Sequence, residues 1–222
     1  RRNKRDGAML NIEINNKEYN IPNKWEEMSV DYYCGVYEII KKYQITEEEA
    51  NSDNDLTKYH IMQENKMYKE LFIYMTGIEE KVMANVPMDN VTAVIECLNE
   101  IMEDYKPKGM DYFEFEGDIY YFPMDFLRTG TFGDYIESQQ LEMNTQYLKN
   151  GRFDILPEQM AILCKQVDEE VDLDNIDEKA KAFRRLTMDI VWEFSFFLNK
   201  RTIASINVIK TFSEMAEQKV SQ

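Results

Sequence analysis

Two stretches of the chain, 9–22 and 110–123, are written on one plan. Met9-Leu10-Asn11-Ile12-Glu13-Ile14-Asn15-Asn16-Lys17-Glu18-Tyr19-Asn20-Ile21-Pro22 aligns without a gap to Met110-Asp111-Tyr112-Phe113-Glu114-Phe115-Glu116-Gly117-Asp118-Ile119-Tyr120-Tyr121-Phe122-Pro123. Met9 falls on Met110, Ile12 on Phe113, Ile14 on Phe115, Tyr19 on Tyr120, Ile21 on Phe122 and Pro22 on Pro123. Apolar residues alternate with polar ones up to Asn15-Asn16-Lys17 or Glu116-Gly117-Asp118, and alternation resumes beyond. Period-two patterning broken by Asn or Gly predicts a β-hairpin with one face buried, and the proline then ends its second strand.

The match continues past the prolines. Ser29-Val30-Asp31-Tyr32-Tyr33 and Thr131-Phe132-Gly133-Asp134-Tyr135 each place a hydroxyl residue before an apolar run, the pattern of a helix N-cap. Leu71-Phe72-Ile73-Tyr74 resembles Ala161-Ile162-Leu163-Cys164 in a second helix of each half. Val86-Pro87-Met88-Asp89-Asn90-Val91 resembles Val171-Asp172-Leu173-Asp174-Asn175-Ile176 and introduces a third. Spacing drifts between these landmarks, as it does where loops accept insertions.

The expected fold is therefore α+β and mainly α, a tandem repeat of a β-hairpin followed by about three helices. A basic tail occupies 1–8, the first repeat 9–105, the second 106–200, and a C-terminal helix or arm 201–222. Repeats of this size sit near the usual size of a domain. Core material is ample, with 14 Tyr and 12 Phe. The longest apolar passage, Ile190 to Leu198, is interrupted by Glu193 and too short to span a bilayer, so it reads as a buried helix. The opening Arg1-Arg2-Asn3-Lys4-Arg5 has no apolar run behind it, so no signal peptide is expected; a fragment, a processed product and an upstream extension all fit the missing initiator Met.

Composition narrows the chemistry. A net charge of −16 lacks the concentrated positive face that specific nucleic-acid binding needs, and reads as a solvated surface or as a face for a basic partner. Cys34, Cys97 and Cys164 lie in apolar helical contexts and read as reduced core residues. His60, the one histidine, has no partnering motif for Cys/His catalysis, and with no CxxC a zinc site has no ligands. Asp53-Asn54-Asp55 with Glu64 imitates a calcium loop but places Lys58 where the turn needs Gly. Gly130 and Gly133 are not followed by the Lys-Ser/Thr of a phosphate loop. The acidic run Asp168 to Asp174 reads as a solvated loop, with a divalent-metal site as the rival reading. No catalytic residue, cofactor or metal is expected.

Binding through surfaces remains. Isolated hairpins leave open edges, so the two are expected to pair with each other or to accept strands from neighbouring subunits. The residues expected at an interface are Phe113, Phe115, Tyr120 and Phe122 with Ile12, Ile14, Tyr19 and Ile21, the other reading being that they cap the helical core.

The lead Ile21-Pro22-Asn23-Lys24-Trp25-Glu26-Glu27-Met28-Ser29-Val30-Asp31-Tyr32-Tyr33, the helical segment from Leu71 to Ile78 and the second cue Phe126 to Ile136 resemble small structural and tail-assembly proteins of tailed bacteriophages, crAss-like gut phages included. The resemblance implies a non-enzymatic, oligomeric, often ring-like virion component near the neck or tail, or a tail-assembly chaperone that leaves the particle. It also implies other phage structural proteins as partners, no membrane, and assembly in the host cytoplasm. A soluble intracellular metal-dependent enzyme is the alternative from another class.

Overall fold

The computed structural model describes residues 9–44, 56–103, 105–123, 140–141, 152–167, 169 and 175–198. The expectations for the tail at 1–8, the cap at Thr131, the loop from Asp53 to Asp55, the glycines at 130 and 133, most of the run from 168 to 174 and the arm at 201–222 fall outside these residues.

Both alternating segments are hairpins. Strand β1 (Leu10–Ile14) pairs antiparallel with β2 (Lys17–Ile21), and β3 (Tyr112–Phe115) with β4 (Asp118–Tyr121). Their registers coincide, with Ile12 opposite Tyr19 and Phe113 opposite Tyr120. Each closes through a two-residue turn with both central residues at positive φ, 52° and 61° at Asn15 and Asn16, 53° and 94° at Glu116 and Gly117. That turn matches the right-handed twist of the flanking strands.

Several helices follow each hairpin. In the first half these are α1 (Val30–Tyr43), α2 (Leu56–Thr76) and α3 (Met88–Ile101). Helix α1 starts where its hydroxyl residue predicts, Ser29 Oγ accepting from the Tyr32 N–H at 3.2 Å. Past Thr76, Gly77 takes the left-handed conformation at φ 66°, which ends a helix without a Cβ penalty. The second half carries α4 (Arg152–Leu163), α5 (Ile176–Phe183) and α6 over 188–198. Helix α6 is the predicted buried helix around Glu193.

The apolar faces meet in two cores. Ile12, Ile14 and Ile21 join Val36 and Ile39 of α1, Leu71 and Phe72 of α2, and Val94 and Leu98 of α3. The other core gathers Phe113, Phe122, Leu156, Met160, Phe183 and Phe194, and it takes Met28, Val30, Tyr33 and Cys34 from the first half as well. Positions 30, 33 and 34 of α1 face one core while 36 and 39 face the other, so a single helix is a wall of both.

The halves are stitched at two helix starts. The Val30 N–H donates to the Leu186 carbonyl at 3.0 Å, and the Met188 N–H donates to the Met28 carbonyl at 2.8 Å. Ser29 and Thr187 lie opposite one another in this antiparallel bridge. Met28-Ser29-Val30-Asp31 and Leu186-Thr187-Met188-Asp189 share one pattern, a hydroxyl residue between buried apolar neighbours and then an Asp. Arg184 reinforces the seam, its Nε 2.6 Å from Asp31 Oδ1 and its Nη1 3.6 Å from Asp154 Oδ1.

Candidate interaction surface

The eight residues expected at an interface point into the chain's own core. Ile12, Ile14, Ile21, Phe113 and Phe122 are buried, and Tyr19, Phe115 and Tyr120 are half-buried. Phe183 of α5 sets its ring edge-on to Phe113, Phe115 and Tyr120 at centroid distances of 5.7, 5.5 and 5.1 Å. This corrects the reading of these side chains as anchors for other chains. A two-stranded ribbon buries the face that alternation makes apolar, and here the helices of each half reach that face first. Nor do the hairpins pair with each other; they are two separate sheets.

Their opposite faces differ. The outer face of the first hairpin carries Asn11, Glu13, Glu18 and Asn20, all exposed. The outer face of the second carries Tyr112, Ile119 and Tyr121, exposed by 52, 41 and 41%, together with Glu114. Tyr112 and Tyr121 sit across the strands from each other with ring centroids 5.9 Å apart. Val167, 69% exposed, lies two residues beyond Lys165, which bridges Tyr121. The signal for this face lies in Ile119-Tyr120-Tyr121-Phe122, four successive apolar residues where the first hairpin alternates.

The edges differ too. On β4, the Tyr121 N–H donates to the Lys165 carbonyl at 2.9 Å. On β1, the Glu13 carbonyl accepts from Asn90 Nδ2 of α3 at 3.0 Å. On β3, the N–H and C=O groups of Tyr112 and Glu114 point away from β4, because Asp111 and Phe122 form the hydrogen-bonded pair next to them. Among the described residues, nothing bonds to those outward groups.

The described part of the acidic loop is internally satisfied. Lys179 Nζ donates to Glu169 Oε1 at 2.7 Å and to the Cys164 carbonyl at 2.9 Å, and the Gln166 N–H donates to Glu169 Oε2 at 2.6 Å. The ammonium also stands over the Tyr120 ring at 5.0 Å, beside a shallow pocket of about 70 Å³ lined by Ile162, Glu169 and Ile176. Glu169 thus has a cation already. Among the described residues, no group of three or more His, Cys, Asp or Glu side chains stands together as metal ligands would. The cysteines are buried free thiols; burial pushes Cys34 up to about 11 and Cys164 upward as well, against thiolate chemistry. His60 is half-buried, and no hydrogen-bond partner for its Nε2 stands among the described residues. Among the described residues, no helix is long and apolar enough to cross a membrane.

Comparisons with protein-family models, with curated proteins and with solved structures find no match for this chain.

Proposed function

We propose that the chain is a non-enzymatic structural or assembly protein of a tailed bacteriophage, an oligomeric component near the neck or tail that binds other virion proteins through its hairpins and helical faces. The observation that carries this reading is the outer face of the second hairpin. Both hairpins spend their inner faces on the core, so what either offers to another chain is its outer side. Only the second presents aromatic and aliphatic side chains there: Tyr112, Ile119 and Tyr121. Tyrosine gives large contact area at low entropy cost and tolerates water when unbound, which suits a surface that waits for a partner. The resemblance of the stretch from Ile21 to Tyr33 to phage structural and tail-assembly proteins supplies the context.

Quantitative mass spectrometry of purified particles tests the assignment. A virion component is expected at a fixed, ring-like copy number relative to the tail proteins. Its absence from particles, with abundance in infected cells, would replace this reading by that of an assembly chaperone. Calorimetric titration with magnesium, calcium and manganese addresses the enzyme alternative, for which saturable heat with any of the three would speak.

A further inference from the structure

We infer that the open edge of β3 is a self-association site, where a second copy of this chain adds its own β3 antiparallel about Phe113. The inference deepens the oligomeric reading above and rests on it. An unpaired edge is a template for another strand, and proteins blunt edges they do not use with charge, proline or covering groups. Here Lys165 covers β4 and Asn90 reaches β1. The outer side of β2 presents Glu18 and Asn20. Among the described residues, the edge of β3 presents outward groups without a partner at both of its positions, Tyr112 and Glu114, beside the exposed ring of Tyr112.

Register selects the partner. The outward groups of Tyr112 and Glu114 allow twofold pairings centred on Tyr112, Phe113 or Glu114. Centring on Glu114 sets two carboxylates directly opposite, which is unfavourable. Centring on Tyr112 needs an outward N–H from Met110, and that N–H donates to Glu193 Oε2 at 3.3 Å. Centring on Phe113 uses only groups that have no partner among the described residues. Each Tyr112 then lies opposite the second copy's Glu114, phenol beside carboxylate, and four backbone hydrogen bonds close the seam between the hairpins. The strand is its own complement in that register.

So short a seam belongs to the weak class of interfaces, and two chains of charge −16 repel, so association strengthens as salt screens them. The test is amide exchange by NMR on the whole chain from about 10 µM to about 1 mM, with sedimentation alongside. The expected result is concentration-dependent protection at the Tyr112 and Glu114 amides, absent at Asn11 and Glu13, with a dimer favoured by salt. Glu114→Pro removes an outward donor that the hairpin itself does not use, and it weakens the dimer about 30-fold through two lost hydrogen bonds. Tyr112→Ser, which leaves the backbone intact, weakens it also. A wild-type chain that stays monomeric, or protection gained elsewhere, overturns the pairing whatever the particles contain. A dimer that weakens with added salt overturns it too, and points to a basic patch as the contact.

Discussion

Glu193 carries more of this fold than its place in an apolar helix suggests. Its carboxylate is buried and accepts the Gly109 N–H at 3.0 Å, the Met110 N–H at 3.3 Å, the Tyr105 hydroxyl at 2.8 Å and the Lys108 N–H. The segment joining the halves is therefore tied to α6 by one side chain. Burial works to raise the pKa of this group, but the four donors outweigh it and hold the carboxyl below its usual value. A carboxyl whose folded pKa is depressed stabilises the native state above the unfolded pKa, and that stability is lost as pH falls through the folded value. Glu193→Gln should cost about 2 kcal/mol at neutral pH and flatten the acid limb of the stability curve, as read from urea midpoints at several pH values. Gly35 is a second sensitive point, because a Cβ there would overlap the Tyr74 ring, whose hydroxyl donates to the Tyr32 carbonyl at 3.2 Å. Gly35→Ala should destabilise by about 1–3 kcal/mol, and Gly35→Ala with Tyr74→Ala by less than the sum of the two single changes, in a double-mutant cycle.

At the scale of elements, the turns offer a change in the other direction. Glu116 holds φ 53°, a conformation that Asn adopts more readily than Glu, while its ion pair with Arg185 is more than half exposed on both sides and adds little. Glu116→Asn should raise stability by about 0.5 kcal/mol, seen as a small upward shift of the thermal midpoint. The hairpins and the start of α1 were legible because their determinants are local. Alternation, a turn-forming cluster and a hydroxyl cap all act within a few residues. The start at Thr187 carries the same local marks in Leu186-Thr187-Met188-Asp189, but its meaning lies in the bridge to Met28-Ser29-Val30, and the two are far apart in sequence. The choice between interface and core for the hairpins' apolar faces is illegible in the sequence for a similar reason. Periodicity says that Phe113 and Phe122 share an apolar face, and it is silent on whether a helix of the same chain or another molecule covers that face.

On the whole molecule, the net charge of −16 sets a diffuse self-repulsion that no single contact relieves. Added monovalent salt should stabilise the native chain by about 1 kcal/mol between low ionic strength and about 0.5 M, measured by urea unfolding at fixed pH, since screening acts most on the compact state. The two cores share α1, so the halves should unfold in one transition in the same experiment, fluorescence and circular dichroism giving coincident curves. The sequence by itself determined the hairpins and where each turns, the cap at Ser29, the burial of the helix around Glu193 and the mainly helical class, all properties written in short-range pattern. Only the tertiary structure decided which faces those elements spend on each other. It turned the aromatic inner faces inward, aimed Glu193 at the linker, joined Ser29 to Thr187 and left the outward groups of β3 without a partner among the described residues, because such choices depend on contacts between residues whose separation along the chain no local pattern records.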